Sequence, residues 1–425
     1  MTIFALASGA GRGAVAVLRL SGDGTRRCLT ALCHGVPAPR RASLRTLRDG
    51  SGAALDRGLV LWLPGPASYT GEDSAELHLH GGRAVIRAVS DALLSLGCRP
   101  AEPGEFSRRA FLNGRFDLLE AEGVADLVAA ETEGQRRQAL RQLGGESSGK
   151  LAAWSERLRR VLAWQEALID FPDEDLPARV EAQLHDEIHA LTDAFRLARA
   201  DAAQGARVRD GLVFSIVGPP NVGKSSLLNA LSGREAAIVA ASAGTTRDVL
   251  EVPLILSGLE VILVDTAGLR ETLDPVEMEG VRRARQRLAT ADLVMFVTDS
   301  AAPHAVERPA GALWVANKTD LAPAPEGALG VSAATGAGLA TLRSVLSDEA
   351  VRLTATRGDV VLSRARHIAA ISEAEAALQR AEAAKLPELR GEELRLALRA
   401  LGRITGQVDV EAVLDVVFSA FCIGK

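Results

Sequence analysis

The first stretch of the chain alternates short apolar runs with turns. These runs are five to seven residues long, are separated by glycine and proline, and lie at 14–20, 59–63 and 76–80. Short apolar segments bounded by such turns are typical of strands in mixed domains. We therefore predict that residues 1–117 form an α+β domain.

After this stretch, the apolar side chains recur at helical spacing. The pattern continues through residues 118–210, apart from a proline-containing segment at 171–177, and it returns in 358–425. Between the two helical stretches, residues 211–357 alternate apolar runs with helical segments, as a parallel sheet requires. We predict an α/β domain inserted into a helical domain, which requires only that the termini of the insert lie close together.

A phosphate-binding loop is the most informative motif of the inserted segment. Residues 218–226 read GPPNVGKSS and match G-x-x-x-x-G-K-[ST], after an apolar run and before a helical one. The glycines permit close backbone approach, and successive N–H groups provide donors for phosphate oxygens. We expect Lys224 to reach the β- and γ-phosphates of a nucleoside triphosphate and Ser225 to hold Mg²⁺.

An apolar run at 261–264 delivers an aspartate at its C-terminal end. Asp265 suits the Mg²⁺ shell, and Gly268 can donate its N–H to the γ-phosphate and move when that phosphate leaves. Upstream of this run, Thr246 is the candidate for the second protein ligand on Mg²⁺, and a threonine in a plain β-turn is the alternative. No glutamine follows Gly268, so the attacking water must be positioned from elsewhere, and the available acids are Glu271, Asp274, Glu277 and Glu279.

Two later strand ends indicate which base is bound. A carboxylate accepts two hydrogen bonds side by side, so Asp320 suits the N1–H and exocyclic amine of guanine and rejects adenine, which lacks both donors. A backbone N–H near Ala333 suits the guanine O6. The four motifs in this order predict GTP. The predicted GTP-binding residues are Asn221, Val222, Gly223, Lys224, Ser225, Ser226, Thr245, Thr246, Asp265, Thr266, Ala267, Gly268, Asn317, Lys318, Asp320, Ser332 and Ala333.

Length and composition indicate the number of domains and the class of protein. A chain of 425 residues with 47% apolar content predicts two or three domains. Without an 18-residue apolar run or a basic leader, we expect a cytoplasmic protein with no membrane contact. Four cysteines are too few for a disulfide framework, and small buried thiols are favoured over a metal site at Cys28, Cys33 and His34.

The charge is distributed unevenly. The formal net charge of −5 argues against indiscriminate nucleic-acid binding, which relies on a broad cationic surface. Residues 1–117 contain 15 arginines, no lysine and 10 acids, a formal balance of +5. The arginines at 26–27, 40–41, 45 and 48 leave two interpretations open, a local RNA contact and a solvated face.

Segments outside the GTP motifs resemble one family. They lie at 11–22, 69–73, 103–107, 110–114 and 421–425, of which the last reads FCIGK. With them, nearly the whole chain resembles the MnmE (TrmE) family of tRNA-modification GTPases, part of the TrmE-Era-EngA-like GTPases. The two terminal segments distinguish this family from the ribosome-assembly GTPases, whose G domain is similar.

The resemblance implies a multidomain fold and a partner. It implies a dimerising tetrahydrofolate-binding domain at 1–117, a helical domain at 118–210 and 358–425, and an inserted P-loop GTPase (G) domain at 211–357. In this family the homodimer joins the flavoprotein MnmG, which supplies FAD and NADH, in a heterotetramer or larger complex. Together they add an aminomethyl or carboxymethylaminomethyl group at C5 of the wobble uridine, position 34, of certain tRNAs. The one-carbon donor is 5-formyl- or 5,10-methylene-tetrahydrofolate.

The resemblance also implies a folate site formed by Arg19, Glu76, Arg115 and Lys425. Arg115 stands where a lysine is common, which preserves the charge but alters the geometry. From the residues alone, Arg19 and Arg115 can pair with the glutamate carboxylates of the folate, and Glu76 with the pterin edge. The alternative is an ordinary charged surface.

GTP hydrolysis in the family is stimulated by K⁺ and by pairing of the G domains. Where no arginine finger exists, another cation must neutralise the negative charge that develops on the phosphates. Asn221 matches the K⁺-coordinating asparagine, and oxygens of Ala240, Ser242 and Thr245 would complete the shell. Glu277 matches the glutamate that orients water.

Cys422, two residues before the final Gly-Lys pair, has two interpretations. The resemblance marks it as a residue needed for modification, where a nearby cation would activate a nucleophilic thiol. The apolar neighbours Phe418, Phe421 and Ile423 equally indicate a packed helix end.

The sequence departs from the family pattern at two places. Pro219 stands where family members often carry arginine, and the short connection at 299–317 leaves room for little more than a turn in place of a crossover helix.

Two alternative functions remain open for this sequence. One is a GTPase switch in ribosome assembly, and the other is a folate-dependent one-carbon transferase that works alone.

Overall fold

The structure is a computed structural model that describes residues 1–9, 11, 13–170, 178–233, 251–265, 291–303, 307–356 and 362–408, together with 414, 417, 418, 421 and 424. The chain divides into two compact units. Unit 1 comprises Met1–Val128, Gln142–Asp175 and Lys385–Lys425, and unit 2 comprises Ala129–Arg141 and Leu176–Ala384. Each unit contains a six-stranded sheet.

The sheet of unit 1 is mixed. Its strands are β1 (Ile3–Leu6), β2 (Val15–Ser21), β3 (Ser43–Arg48), β4 (Ala54–Leu63), β5 (Ser74–His80) and β6 (Arg99–Pro100). Their order is β3-β4-β5-β2-β1-β6, and neighbours are antiparallel except for β1 and β6. Because side chains alternate between the faces of a strand, Leu18, Leu20 and Leu77 share one face. They pack there against Leu29 of α1 (Thr25–Cys33) and Leu93 of α2 (Arg83–Ser95).

Four helices follow in the sequence after α3 (Glu105–Leu112). They are α4 (Leu118–Ala129), α5 (Glu133–Leu143), α6 (Glu146–Asp170) and α7 (Ala178–Asp210). Gly211, with a φ of 82°, turns the chain from the end of α7 into the second sheet. A positive φ is readily available only to glycine, which explains this residue between a helix and a strand.

The sheet of unit 2 is parallel except at one edge. Its strands are β7 (Leu212–Val217), β8 (Glu251–Leu256), β9 (Leu259–Asp265), β10 (Leu293–Asp299), β11 (Leu313–Asn317) and β12 (Leu329–Gly330). The order is β12-β11-β10-β7-β9-β8, and β8 pairs with β9 as an antiparallel hairpin. Leu228 of α8 (Lys224–Ser232) and Leu346 of α9 (Leu339–Thr354) are buried in the same core as Phe214, Val261 and Val297.

The two remaining helices pair with long helices of the earlier stretch. Helix α10 (Ala365–Ala383) packs on α7 within unit 2, where Glu375 is 5% exposed and pairs with Arg199 at 2.7 Å. Helix α11 (Pro387–Thr405) packs on α6 within unit 1. Each unit therefore contains one pair of helices taken from two distant parts of the sequence.

Several predictions from the apolar pattern are confirmed. The runs at 14–20, 59–63 and 76–80 overlap β2, β4 and β5, and the helical pattern predicted within 358–425 is present as α10 and α11. Between β10 and β11, the described residues form turns and irregular backbone without a helix, as the short connection predicts. The predicted break at 171–177 lies outside the described residues. Among the helices that the structure describes, none is both long and apolar enough to cross a membrane.

Candidate functional site

The loop between β7 and α8 lies tightly against two neighbouring strands. Gly218 has a φ of 149°, and a Cβ built there would lie 2.0 Å from the carbonyl oxygen of Val297 on β10. At Gly223, with a φ of 90°, a Cβ would lie 2.4 Å from Nδ2 of Asn317. Both distances are far below van der Waals contact, so only glycine fits at either position. The loop is therefore seated on the ends of β10 and β11.

Lys224 begins α8 and folds back over this loop. The residue is 7% exposed, and its Nζ donates hydrogen bonds to the carbonyl oxygens of Gly218 at 2.9 Å and Pro219 at 2.8 Å. The first N–H groups of a helix have no acceptor within the helix, so α8 also directs donors and a partial positive charge at the loop. An ammonium group and backbone donors at one loop are what a phosphate group requires.

Ser225 and Asp265 meet at the end of β9. The Ser225 Oγ donates to Asp265 Oδ2 at 2.8 Å, and Asp265 is fully buried. Hydroxyl and carboxylate oxygens are ligands that Mg²⁺ prefers, commonly alongside oxygens of a bound phosphate. The donor set present therefore fits a Mg²⁺ ion.

Asn317 connects the phosphate loop to the end of the sheet. Its Nδ2 donates to the carbonyl oxygen of Val222 at 2.9 Å, and its Oδ1 accepts from the N–H of Ala333 at 3.1 Å. The residue is 2% exposed, so its amide is satisfied on both sides inside the protein. The Ala333 N–H, expected at the guanine O6, donates to Asn317 in this structure.

Lys318 makes a second connection on the exposed side. Its Nζ donates to Asp299 Oδ2 at 2.7 Å and to the carbonyl oxygen of Asn221 at 3.0 Å. The hydrogen bond from Lys318 lowers the pKa of the Asp299 carboxyl. Both Lys318 and Asn221 have positive φ, 68° and 65°, so this contact joins two tight turns.

Asp320 is oriented by a buried hydroxyl. The Ser332 Oγ donates to Asp320 Oδ1 at 2.5 Å and accepts from the N–H of Thr335 at 3.2 Å. Ser332 is fully buried, which fixes the position of its hydroxyl. A carboxylate held in this way is preorganised to accept hydrogen bonds from a planar base.

Most of the described residues predicted to bind GTP are thus joined by direct hydrogen bonds. Ser226 lies exposed on α8, one residue beyond Ser225. The remaining predicted nucleotide, metal, catalytic and folate residues lie outside the described residues; they are Ala240, Ser242, Thr245, Thr246, Thr266, Ala267, Gly268, Glu277, Cys422 and Lys425.

A second group of predicted residues lies on the sheet of unit 1. Arg19 on β2 and Glu76 on β5 are register partners, and Arg19 Nη2 lies 2.9 Å from Glu76 Oε1. The other carboxylate oxygen of Glu76 is 3.3 Å from Nε2 of His78. Burial raises the pKa of Glu76, but the charge and hydrogen bond of Arg19 outweigh it, with help from His78, and the net shift is downward. The carboxylate is therefore held in its charged form between two basic groups.

Arg19 has three further neighbours. Its guanidinium carbon lies 5.5 Å from the ring centroid of Tyr69 and 5.9 Å from that of Phe106, both within the range of cation–π contacts. Its Nη1 lies 3.4 Å from the carbonyl oxygen of Gly424. Arg19 is thus a fixed group at the meeting point of the sheet, the loop at Tyr69 and the C-terminal residues.

Arg115 is exposed and lies beside the same loop. A Cβ at Gly71 would lie 3.4 Å from Cγ and Cδ of Arg115, so the arginine stem covers this glycine. The neighbouring Asn113 donates from Nδ2 to the carbonyl oxygen of Thr70 at 2.7 Å. These contacts bring the segments predicted at 69–73 and 110–114 together.

The sequence patterns did not reveal the ion pairs that support this loop. Arg109 lies 2.9 Å from Glu72 and 3.0 Å from Glu105, and Glu105 also pairs with Arg99 at 2.5 Å. Burial raises the pKa of Glu105, but the hydrogen bond from Arg99 and other donors lower it overall. The Ser21 hydroxyl donates to Glu72 at 2.8 Å, so the network reaches β2.

The described C-terminal residues pack within unit 1. A Cβ at Gly104 would lie 2.5 Å from the carbonyl oxygen of Phe418, and one at Gly424 would lie 2.6 Å from that of Leu6. Phe418 and Phe421 are buried, with ring centroids 5.2 Å apart. The end of the chain therefore approaches Arg19 through close backbone contacts.

Family comparisons match both parts of the chain. The profile of the MnmE helical domain matches residues 118–422, and that of the GTP-binding protein TrmE N-terminus matches residues 2–115. The chain belongs to the MnmE family. The two family matches span the predicted residues of both candidate sites except Lys425, and they end before Gly424.

Three relatives, each called tRNA modification GTPase MnmE, match all of this chain. The relative from Gluconacetobacter diazotrophicus is 57% identical over 432 residues, which cover 99% of that protein. Those from Granulibacter bethesdensis and Acidiphilium cryptum are 53% and 54% identical and are covered to 99% and 98%. The similarity to MnmE proteins therefore extends over both compact units.

Proposed function

We propose that this chain is a GTP-hydrolysing enzyme of tRNA modification. The hydrogen-bonded set of Lys224, Ser225, Asp265, Asn317 and Asp320 supports the GTPase part, and the names of the MnmE relatives support the tRNA part. With the flavoprotein MnmG, which contributes FAD and NADH, the chain adds an aminomethyl or carboxymethylaminomethyl group at C5 of the wobble uridine of certain tRNAs.

In this proposal the phosphates of GTP lie on the loop 218–226. The ammonium of Lys224 exchanges its contacts to Gly218 and Pro219 for phosphate oxygens, which are stronger acceptors because they are charged. Loss of the Pro219 N–H matters little, because the neighbouring backbone donors and the helix N-terminus still face the phosphates. Asp320, oriented by Ser332, binds the guanine edge.

Two cations belong to the same proposal. Ser225 and Thr246 hold Mg²⁺ near the buried Asp265, while Asn221 and oxygens of Ala240, Ser242 and Thr245 hold K⁺. When bound, these ions neutralise the charge that develops on the phosphates. The contact from Lys318 to the Asn221 carbonyl fixes the backbone there and so positions the asparagine side chain. Glu277 orients the attacking water, and pairing of two G domains in the homodimer completes the site.

The folate role of the sheet residues needs one revision. Because Arg19 and Glu76 are in contact at 2.9 Å, they meet the same end of a ligand and not opposite ends. We assign Glu76 to the pterin edge, where a charged carboxylate accepts two N–H donors, and Arg19 to holding Glu76 in place. Arg115 and Lys425 remain for the glutamate carboxylates of the tetrahydrofolate derivative, 5-formyl or 5,10-methylene.

In the sequence, Cys422 stands between Phe421 and Gly424, two residues that the structure describes. Phe421 is buried, and the carbonyl oxygen of Gly424 lies 3.4 Å from Arg19. These neighbours support a thiol that acts on the one-carbon unit, and the buried phenylalanines equally support packing. A Cys422→Ser protein that folds normally but no longer modifies tRNA would favour the chemical role.

The remaining parts of the proposal concern organisation. The chain acts in the cytoplasm as a homodimer within a heterotetramer or larger complex with MnmG. Its functional domains are the folate domain at 1–117, the helical domain at 118–210 and 358–425, and the G domain at 211–357.

Mass spectrometry of nucleosides from total tRNA tests the proposal. Cells that lack this chain should lose the modified wobble uridines, the wild-type gene should restore them, and Lys224→Ala should not. Unchanged wobble uridines in the deletion strain would contradict the proposal, and association with ribosomal subunits would favour the rival role in ribosome assembly. Product formation without a flavoprotein would favour the transferase that works alone.

A further inference from the structure

Two buried thiols of unit 1 are in contact. The Sγ atoms of Cys28 on α1 and Cys98, directly before β6, lie 3.3 Å apart although 70 residues separate them in the sequence. Cys28 is 0% exposed and Cys98 is 5% exposed. A disulfide requires an S–S distance of about 2.05 Å, so the two sulfurs need to approach by little more than an ångström.

The backbone on both sides of this contact is fixed. The N–H of Cys28 donates to the carbonyl oxygen of Gly24, the residue before α1, and the N–H of Cys98 donates to the carbonyl oxygen of Leu93 in the last turn of α2. Arg27 Nη2 donates to the carbonyl oxygen of Leu96 at 2.9 Å, which ties α1 to the turn before Cys98. The two thiols are therefore held together by structure on either side of them.

The surroundings make the two thiols unequal. The hydrogen bond from Cys98 lowers the pKa of Cys28 to about 7, burial opposes it, and the charge of Arg27 adds to the lowering. The same hydrogen bond and burial raise the pKa of Cys98. Cys33 lies on the same helix, and burial raises its pKa to about 11. Since the thiolate is the nucleophile, the lowered pKa favours Cys28 over Cys98 and Cys33 as the attacking sulfur.

We propose that Cys28 and Cys98 form a reversible disulfide when the protein meets peroxide, so that unit 1 carries a thiol redox site. This inference is independent of the GTPase and folate assignments. The low exposure of both sulfurs restricts the oxidant to a small molecule such as hydrogen peroxide.

The reaction has two balanced steps. The Cys28 thiolate attacks one oxygen of hydrogen peroxide, the O–O bond breaks, and the departing hydroxide takes up a proton as water, which leaves a sulfenic acid on Cys28. The Cys98 sulfur then attacks Cys28, the S–O bond breaks, and the second oxygen leaves as water with the Cys98 proton. Overall, two thiols are oxidised to one disulfide, one peroxide is reduced to two waters, and a dithiol reductant reverses the change.

The bond would close a long loop of the chain. A disulfide between residues 28 and 98 ties α1 to the residue before β6, and it restricts the unfolded chain somewhat more than a short loop does, because the entropy of closure rises with the logarithm of loop length. Oxidised protein should therefore unfold at a temperature several degrees higher than reduced protein, and dithiothreitol should abolish the difference. The rate of GTP hydrolysis should change by less than twofold, because the candidate GTP residues belong to unit 2.

The experiment treats the folded full-length protein with hydrogen peroxide, removes the peroxide, blocks free thiols with iodoacetamide in denaturant so that buried thiols also react, and locates the bond by mass spectrometry. Trypsin cleaves after Arg27 and Arg40, so Cys28 and Cys33 remain on one peptide. The mapping is therefore done in a Cys33→Ala background, in which the disulfide should still form. Cys28→Ala and Cys98→Ala should each lose both the bond and the rise in unfolding temperature.

The outcomes separate the proposal from simple packing. A peptide pair joined through Cys28 and Cys98 in folded protein supports it, and circular dichroism of the alanine variants checks that they are folded. Two free, alkylated thiols after peroxide treatment would overturn it. Over-oxidation of Cys28 to a sulfinic acid without the cross-link would also overturn it, since Cys98 would then fail to trap the sulfenic acid.

Discussion

The N–H of Gly134 donates to the carbonyl oxygen of Gly258 at 2.8 Å, and this bond joins helix α5 to the turn between β8 and β9. Ser257 and Gly258 form that turn with φ values of 50° and 76°, as a two-residue hairpin requires. Gln135, the next residue of α5, donates to Glu260 at 3.0 Å. The start of α5 is therefore bonded to the hairpin whose second strand ends at Asp265.

Replacing Gly134 by valine should destabilise unit 2. A Cβ at this position would lie 3.0 Å from the Gly258 carbonyl oxygen and 2.9 Å from Cδ2 of Leu259, and the valine methyl groups add to this overlap. Overpacking of this kind costs about 2 kcal/mol. Thermal unfolding followed by circular dichroism measures the loss.

Gly149→Val is the matched control for this prediction. Gly149 lies in α6, and a Cβ there meets nothing within 4 Å. Valine at this exposed helical position should change stability little, since its helix propensity is slightly better than that of glycine. Equal unfolding temperatures for the two variants would show that the close contact at Gly134 does not affect stability.

The ion pair of Arg19 with Glu76 predicts a pH dependence. Because the folded protein lowers the pKa of Glu76, the unfolded chain binds this proton more tightly, and the pair stabilises the fold above the ordinary value of about 4.5. That contribution disappears as the pH falls through the lowered folded value. Glu76→Gln should therefore cost about 1 kcal/mol or less at neutral pH and nothing in acid, as denaturant unfolding at several pH values would measure.

Asp23→Asn removes an exposed carboxylate of the same unit and serves as the control. Its unfolding free energy should follow that of the wild type at every pH. A constant difference between Glu76→Gln and the wild type across the acid range would mean that the carboxylate charge is not what matters at this position.

Gly424→Ala should separate tRNA modification from GTP hydrolysis. The residue has a φ of 102°, and a Cβ would lie 2.6 Å from the Leu6 carbonyl oxygen and 2.9 Å from Cα of Ala7, so alanine should displace the end of the chain from Arg19. We expect modification, measured with the proposed flavoprotein partner, to fall about tenfold or more and GTP turnover to stay within about twofold. Full modification by the variant would indicate that the tail contact is dispensable.

The sequence predicted those parts of the fold that depend on local pattern. Short apolar runs bounded by glycine and proline indicated β2, β4 and β5, because each of these strands contributes buried side chains to the core. The apolar pattern did not predict which of the long helices pack on each other. Helices α6 and α7 have similar amphipathic sequences, yet α6 packs on α11 and α7 on α10, and this choice depends on side chains more than 150 residues apart.

The candidate sites show the same limit. The loop 218–226 was predictable because its glycines, lysine and helix start are consecutive in the sequence. The ion pair of Arg109 with Glu72 spans 37 residues, and the contact of Cys28 with Cys98 spans 70. Strand register and helix packing create such contacts, and neither is written in the spacing of the residues themselves.

Glu277→Ala should leave GTP affinity nearly intact and abolish most of the turnover. The MnmE family resemblance assigns this glutamate to the attacking water, which is bound only when the reaction proceeds, so its loss affects kcat and not ground-state binding. Hydrolysis assays in K⁺ and in Na⁺, together with nucleotide titration, test both parts. An unchanged rate in K⁺ would contradict the assignment.

Asp320→Asn should exchange the base preference of the enzyme. The carboxylate accepts two hydrogen bonds from guanine, whereas an asparagine amide offers one acceptor and one donor, which suits xanthine because its C2 oxygen is an acceptor. The variant loses a charged acceptor, and its amide N–H would face one of the N–H donors of guanine. We therefore expect GTP binding to weaken by about 100-fold or more. The contact with Ser332 survives, since the amide oxygen still accepts a hydrogen bond from its hydroxyl.

Titration of the wild type and the variant with GTP and xanthosine triphosphate gives the ratio of the two affinities, which should reverse in the variant. Asp348→Asn, at an exposed position on α9, is the control and should leave this ratio unchanged. A variant that loses both ligands equally would indicate that Asp320 supports the loop and does not contact the base.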